Sequence, residues 1–207
     1  MSTRSGIQGA WLELMGRSIT FDEAVALDAA IECFWRRGYE ATSVRDLAAA
    51  MRIGGTSLYN SFGSKRSLFM RALERYLDRT VRARMQRLES SLRPKQAIRA
   101  FFQEVIERSL SDRARRGCLL INSALEVAPH DRRLGGDIAL RLGELESFFR
   151  RLIAAAQVQG TVPRSVNAKD SARLLLAVLL GIRVLARSKP ERALLEGIAR
   201  PALALLD

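Results

Sequence analysis

Cysteine, histidine and long apolar runs are all scarce in this chain of 207 residues. It has two cysteines and one histidine. Cys33 and Cys118 stand 85 positions apart, with no Cys-x-x-Cys pair and no Cys/His cluster. That excludes a disulfide framework and a structural zinc site, and it suits a reducing compartment. His130 follows Pro129 at a helix boundary, where capping or packing competes with ligand or pH sensing. A single imidazole cannot assemble a catalytic metal set, so neither metal nor cofactor is expected. The apolar run Leu174 to Ile182 is nine residues long, well short of the ~20 that span a bilayer. With no secretory leader pattern at the start, the expectation is a soluble, cytoplasmic protein without a membrane partner. No nucleophile elbow, Gly-rich phosphate loop or paired-carboxylate signature occurs, which argues against an enzyme.

Strand alternation is also missing, and a 3.6-residue period runs through almost the whole chain. Leu27, Ile31, Phe34 and Trp35 share one face of a first helix from Asp22 to Arg37, which Gly38 stops. Ser64 caps a long helix from Lys65, in which Leu68, Phe69, Ala72, Leu73 and Tyr76 keep the period before Arg79, Arg82, Arg84 and Arg87 take the exposed side. Helices are then predicted beyond Pro94, from Leu119 to Val127, from Asp131 to Gln157, from Ala168 to Arg187, and after Pro190 with an interruption at Pro201. Together with two short helices between residues 43 and 62, the count is nine and the fold class all-α. The helix from Ala168 to Arg187 is apolar around most of its circumference and demands burial on more than one side.

The net charge is +12, but only +2 falls in residues 1–80 and +10 in 81–207. The basic excess, mostly Arg, therefore reads first as a solvated surface, with attraction to DNA or to an anionic effector as the alternative.

The stretch Ser43 to Lys65 carries the chemistry. Val44, Leu47, Ala48 and Met51 make an apolar stripe opposite Arg45, Ala49 and Arg52, and Ser43 with Asp46 is a short capping box, Thr42 being the other cap candidate. Gly54 and Gly55 break the run. Thr56 to Phe62 then offers Leu58 and Phe62 inward, leaving Thr56, Ser57, Tyr59 and Asn60 outward. That is the layout of a helix-turn-helix with polar groups suited to phosphates and base edges.

These residues resemble the TetR family of transcriptional regulators. The resemblance rests on Phe34, Gly38 and Tyr39, on Leu47, Ala48 and Ile53, and on the run Ser57-Leu58-Tyr59-Asn60-Ser61-Phe62-Gly63-Ser64-Lys65. The segment Gly117-Cys118-Leu119-Leu120-Ile121-Asn122 is similar to wording found in one branch of the family. Two features depart from the pattern: Arg52 stands at a turn position where Gly is usual, and Gly55 where relatives often carry a cation.

The resemblance implies three parts. Residues 1–20 form an N-terminal arm, of which 1–14 look like a start-site extension; 21–80 bind DNA; 81–207 bind an effector and dimerise. It implies a homodimer on palindromic double-stranded DNA, released by an unidentified small-molecule effector. Contacts to DNA are expected from Thr42, Ser43, Arg52, Gly55, Thr56, Ser57, Tyr59, Asn60 and Lys65. An effector pocket is expected around Phe102, Cys118, Asn122 and Phe149. Two other readings stay open: a thiol-based redox or electrophile sensor enzyme centred on Cys118, for which Arg115, Arg116 and a helix start supply nearby positive charge, and a family member with degenerate DNA recognition.

Overall fold

The computed structural model describes residues 21–207; the expectations for residues 1–20 lie outside them. All regular structure among the described residues is helical, in nine helices. Helix α1 (Glu23–Arg37) starts where the Asp22 carboxylate accepts the N–H groups of Ala24 and Val25. It ends at Gly38, whose φ of 86° is closed to most L-residues. Helices α2 (Val44–Met51) and α3 (Gly55–Phe62) follow, the latter starting one residue earlier than predicted. Leu47, Leu58 and Phe62 are buried in one core together with Phe34 of α1 and with Leu68 and Phe69 of the helix that begins at Lys65. Each such Leu contributes roughly 2–3 kcal/mol relative to an exposed one.

Helix α4 is one continuous rod with a fault in it. An α-helical part, Lys65–Leu77, passes through a π-helical turn, Asp78–Arg82, into a second α-helical part, Ala83–Ser91. The extra residue of a π turn shifts the facing of everything after it; Arg79 and Arg87 are exposed as expected, but the expectation is corrected for Arg82 and Arg84. Arg84 points inward to Glu104 at 3.2 Å, with only 16% of its side chain exposed. Arg82 binds Glu144 bidentately, with 2.7 Å to each oxygen, and reaches Glu74 and Asp78 at 2.8 Å. Several arginines are thus committed to ion pairs that hold α4 against its neighbours.

The remaining helices are α5 (Pro94–Ser111), α6 (Leu119–Glu126), α7 (Arg132–Val158), α8 (Ala168–Ser188) and α9 (Arg192–Ala204). Helices α7 and α8 pack along each other, with α5 against both and α9 against α5 and α8. Phe101, Phe102, Phe148 and Phe149 fill the centre, their neighbouring rings 5.2–6.0 Å apart. Phe149 and Phe102 are fully buried in this cluster. The structure does not bring the expected pocket residues together: Phe102 lines a cleft of about 320 Å³ with Ala199 and Leu203 of α9, while Asn122 lines another with Trp35 of α1. The final helix runs through Pro201 instead of stopping. Pro201 deprives only the Gly197 carbonyl of a donor, and just three helical residues remain after it, so the break costs little. No described helix is long and apolar enough to cross a membrane.

Candidate nucleic-acid interface

The turn between α2 and α3 is built by caps at both ends of α2. Ser43 Oγ accepts the Asp46 N–H at 3.1 Å, and the Asp46 carboxylate accepts the Ser43 N–H at 3.0 Å and its hydroxyl at 2.6 Å. Arg37 adds an ion pair to Asp46 at 2.8 Å. At the other end Arg52 sits in the left-handed region, φ 56° and ψ 40°, and its N–H returns to the carbonyls of Ala48 and Ala49. A non-Gly residue there costs about 1 kcal/mol.

The capping box leaves a titration signature. Hydrogen bonds from the Ser43 hydroxyl, the Ser43 N–H and Arg37, in that order, lower the Asp46 pKa to about 2. The folded value lies below the unfolded one of about 3.9, so the contribution is full above about pH 4 and is lost as pH falls toward 2. In denaturant melts, wild type is expected to exceed Asp46→Asn in stability by a constant margin at neutral pH. That margin should shrink between about pH 4 and 2; an unchanged margin at the acid end would contradict the assignment.

Helix α3 begins at Gly54 without a side-chain cap. Its first N–H groups are left for an external acceptor, at the positive end of the helix dipole. Gly55, Thr56 and Asn60 are exposed, Ser57 is half-buried and Tyr59 is 51% exposed. Around them, Arg45 and Arg52 are exposed and have no carboxylate partner among the described residues. Lys65 extends over the Tyr39 ring, 4.3 Å from its centroid, and reaches the Glu40 carbonyl at 3.4 Å. Tyr39 itself is wedged against Phe34 and Phe69, so an aromatic stack fixes the position of this cation.

One predicted contact is corrected. Thr42 is fully buried, its hydroxyl donating to the Gly38 carbonyl at 2.6 Å. It neither caps α2 nor faces outward, because that bond closes the turn after α1.

Away from this face, Cys118 is the N-cap residue of α6 and is 7% exposed. The Tyr76 hydroxyl lies 3.7 Å from its sulfur. Burial pushes the Tyr76 phenol up, so it donates a proton and does not take one. Asn122 lies in a separate cleft between α1 and α6, donating to the Arg116 carbonyl at 2.7 Å.

Two long-range links absent from any local pattern join the two halves. The Glu126 carboxylate at the end of α6 accepts the Glu40 N–H at 2.9 Å. Asp131, the N-cap of α7, binds Arg66 at 2.9 Å. Their sequence separations are 86 and 65, and only their acidic residues near a helix boundary hinted at them.

A family model described as bacterial regulatory proteins, tetR family, matches residues 26–72, and a tetracyclin repressor-like C-terminal domain model matches 94–200. The HTH-type transcriptional regulator YezE of Bacillus subtilis (strain 168) is 35% identical, over 93% of this chain and all of its own length. The HTH-type transcriptional repressor ComR of Escherichia coli (strain K12) is 29% identical over 92% of this chain and 91% of its own. Among solved structures, a cysteine mutant of the TetR family regulator CifR, complexed with 26-bp double-strand operator DNA, superposes with a TM-score of 0.83 at 31% identity. That likeness covers 92% of this chain and all of the other. With the helix-turn-helix, the helical body behind it and both family models in agreement, this chain belongs to the TetR family of bacterial regulatory proteins.

Proposed function

We infer that the protein is a ligand-responsive transcriptional repressor, cytoplasmic and not an enzyme, which binds a palindromic operator as a homodimer and is released by a small-molecule effector. The observation that carries this is α3: a short helix with an uncapped N-terminus, a polar outer row, a buried Leu58 and Phe62, and flanking cations. In this reading residues 21–80 are the DNA-binding part and 81–207 the effector-binding and dimerising part. Ser43, Arg52, Gly55, Thr56, Ser57, Tyr59, Asn60 and Lys65 make the DNA contacts. The Gly117 to Asn122 segment fits the branch of the family noted above.

The second copy is supported by apolar surface on α7 and α8. Leu174, Ala177, Val184 and Leu185 form an exposed stripe on α8, and Leu140 on α7 is 67% exposed. Two such helices from each copy make a four-helix interface, and a two-fold axis spaces the recognition helices by whole DNA turns.

Fluorescence anisotropy with duplexes tiled upstream of the gene, at two salt concentrations, tests the proposal. One palindromic segment should bind tightly with a steep salt slope, whereas weak, sequence-blind binding throughout would favour the degenerate reading. Arg52→Gly sharpens the test because two properties should move oppositely. Relief of the left-handed strain should stabilise the fold by about 1 kcal/mol. Loss of a phosphate contact should weaken binding uniformly and lower the salt slope by about 1. Unchanged affinity and slope would remove Arg52 from the interface.

A further inference from the structure

A cavity of about 450 Å³ lies between the last turn of α5, the 112–117 loop, α8 and the indole of Trp35. Its wall is one-sided in charge. Arg108, Arg113, Arg116 and Arg183 line it, against a single carboxylate, Asp112. Asp112 is already engaged, accepting the Arg116 N–H at 2.7 Å and its Nε at 3.4 Å. Arg116 has a second partner in Glu32 at 3.2 Å. Arg108, Arg113 and Arg183 have no carboxylate partner among the described residues.

Arg183 is the decisive one, because it is only 9% exposed. Its Nη1 donates to Ser109 Oγ at 2.9 Å and its Nη2 to the Gly117 carbonyl at 2.7 Å. Both acceptors are neutral. A guanidinium carries five N–H donors, so three remain without a protein acceptor. A buried charge is costly unless it is paired, and here the protein supplies no anion. Spare guanidinium donors, missing acceptors and a volume larger than an inorganic oxyanion requires together point to the occupant.

We propose that this cavity binds a small organic anion, its carboxylate or phosphate group seated on Arg183 and Arg108, and that this anion is the effector. The site sits at a joint. Arg116 spans it, tied to Glu32 of α1 and lying 4.3 Å from the Trp35 ring. Gly117 and Cys118 lead directly into α6, whose far end holds Glu40 through Glu126. An anion competing with Glu32 for Arg116 loosens the link between the DNA-binding helices and the body. The regulatory part of this proposal rests on the repressor reading above; the binding part does not.

The test uses the full chain without DNA. Isothermal titration is made with sodium benzoate, with inorganic phosphate, and with benzamide as the uncharged counterpart of benzoate. Saturable binding of benzoate, with benzamide at least tenfold weaker, is the expected result; saturation by phosphate alone assigns the site to phosphate carriers. Arg108→Gln, an exposed position whose exchange leaves the fold intact, should weaken the bound anion at least fivefold. Arg183→Gln should abolish binding. If neither anion saturates, if benzamide binds as well as benzoate, or if Arg108→Gln binds unchanged, the site is overturned and Arg183 is a staple between α5 and the loop. Adding the bound anion to an operator complex then separates the two parts: release supports the effector role, and binding without release overturns it while leaving the site standing.

Discussion

Val184→Glu on the outer stripe of α8 is expected to turn the dimer into a folded monomer and to reduce operator affinity at least 100-fold. Val184 is 41% exposed in the single chain, so the carboxylate is hydrated in the monomer and the fold is undisturbed. In a two-fold interface each copy would bring one carboxylate into an apolar, desolvated seam without a partner. That burial opposes association by several kcal/mol, and two half-sites bound separately lose the gain of being linked. A 100-fold loss corresponds to about 2.8 kcal/mol, well within that range. Sedimentation equilibrium, circular dichroism and operator anisotropy read the three quantities independently. Leu125→Glu, at a still more exposed apolar position on α6 (61%), should leave association intact. A Val184→Glu protein that stayed dimeric would place the interface elsewhere.

Gly38→Ala is expected to lower the melting temperature by roughly 5–10 °C, from about 2–3 kcal/mol lost. Two costs combine. The φ of 86° with ψ of 170° is one that side chains avoid. An added Cβ would also lie 2.6 Å from both Glu126 carboxylate oxygens. That carboxylate is held in place by the Glu40 N–H, so it can withdraw only by breaking the link between α6 and the turn after α1. Gly63→Ala separates the two costs: its φ is 76°, but nothing lies within 4 Å of an added Cβ, so it should show backbone strain alone. A smaller loss for Gly38→Ala than for Gly63→Ala, measured by thermal denaturation, would show that Glu126 yields freely. Removing Glu126 by Glu126→Ala should return part of the Gly38→Ala loss.

Helix boundaries were legible because their causes are local. Asp22, Ser43, Ser64 and Asn167 each accept N–H groups of the first turn they precede, and a side chain two or three residues from its partner is visible in one dimension. The left-handed turn at Arg52 was hinted at only by the family resemblance, which has Gly at that position. The outer row of α3 followed from the inward facing of Leu58 and Phe62.

What was not legible depends on partners far along the chain. Thr42 has the composition of a cap, but Ser43 takes that role and the turn closes on Gly38. Phe102 and Phe149 have the residue types of a ligand pocket, and only the meeting of α5 with α7 decides that their rings pack on Phe101 and Phe148. Arg183 sits in a helix that periodicity marks as apolar, and nothing within that helix says that its guanidinium reaches Ser109 and Gly117. The π turn of α4 has no sequence signature in Asp78–Arg82 at all; it is chosen by how the rod packs at both ends.

That turn has a geometric consequence for the assembled regulator. Each residue of an α-helix advances the facing by about 100°, so one residue more or fewer within 78–82 would rotate Lys65–Leu77 against Ala83–Ser91 by about that angle. In the reading proposed above, the recognition helix rides on the first segment, while the second packs on α5 and pairs through Glu89 with Arg151 of α7. The separation and pitch at which two heads meet a DNA duplex are therefore a matter of counting residues along a stalk, at a place remote in sequence from α3. A single-residue deletion there would change which operator spacing the dimer can span, with every side chain of α3 left as it was.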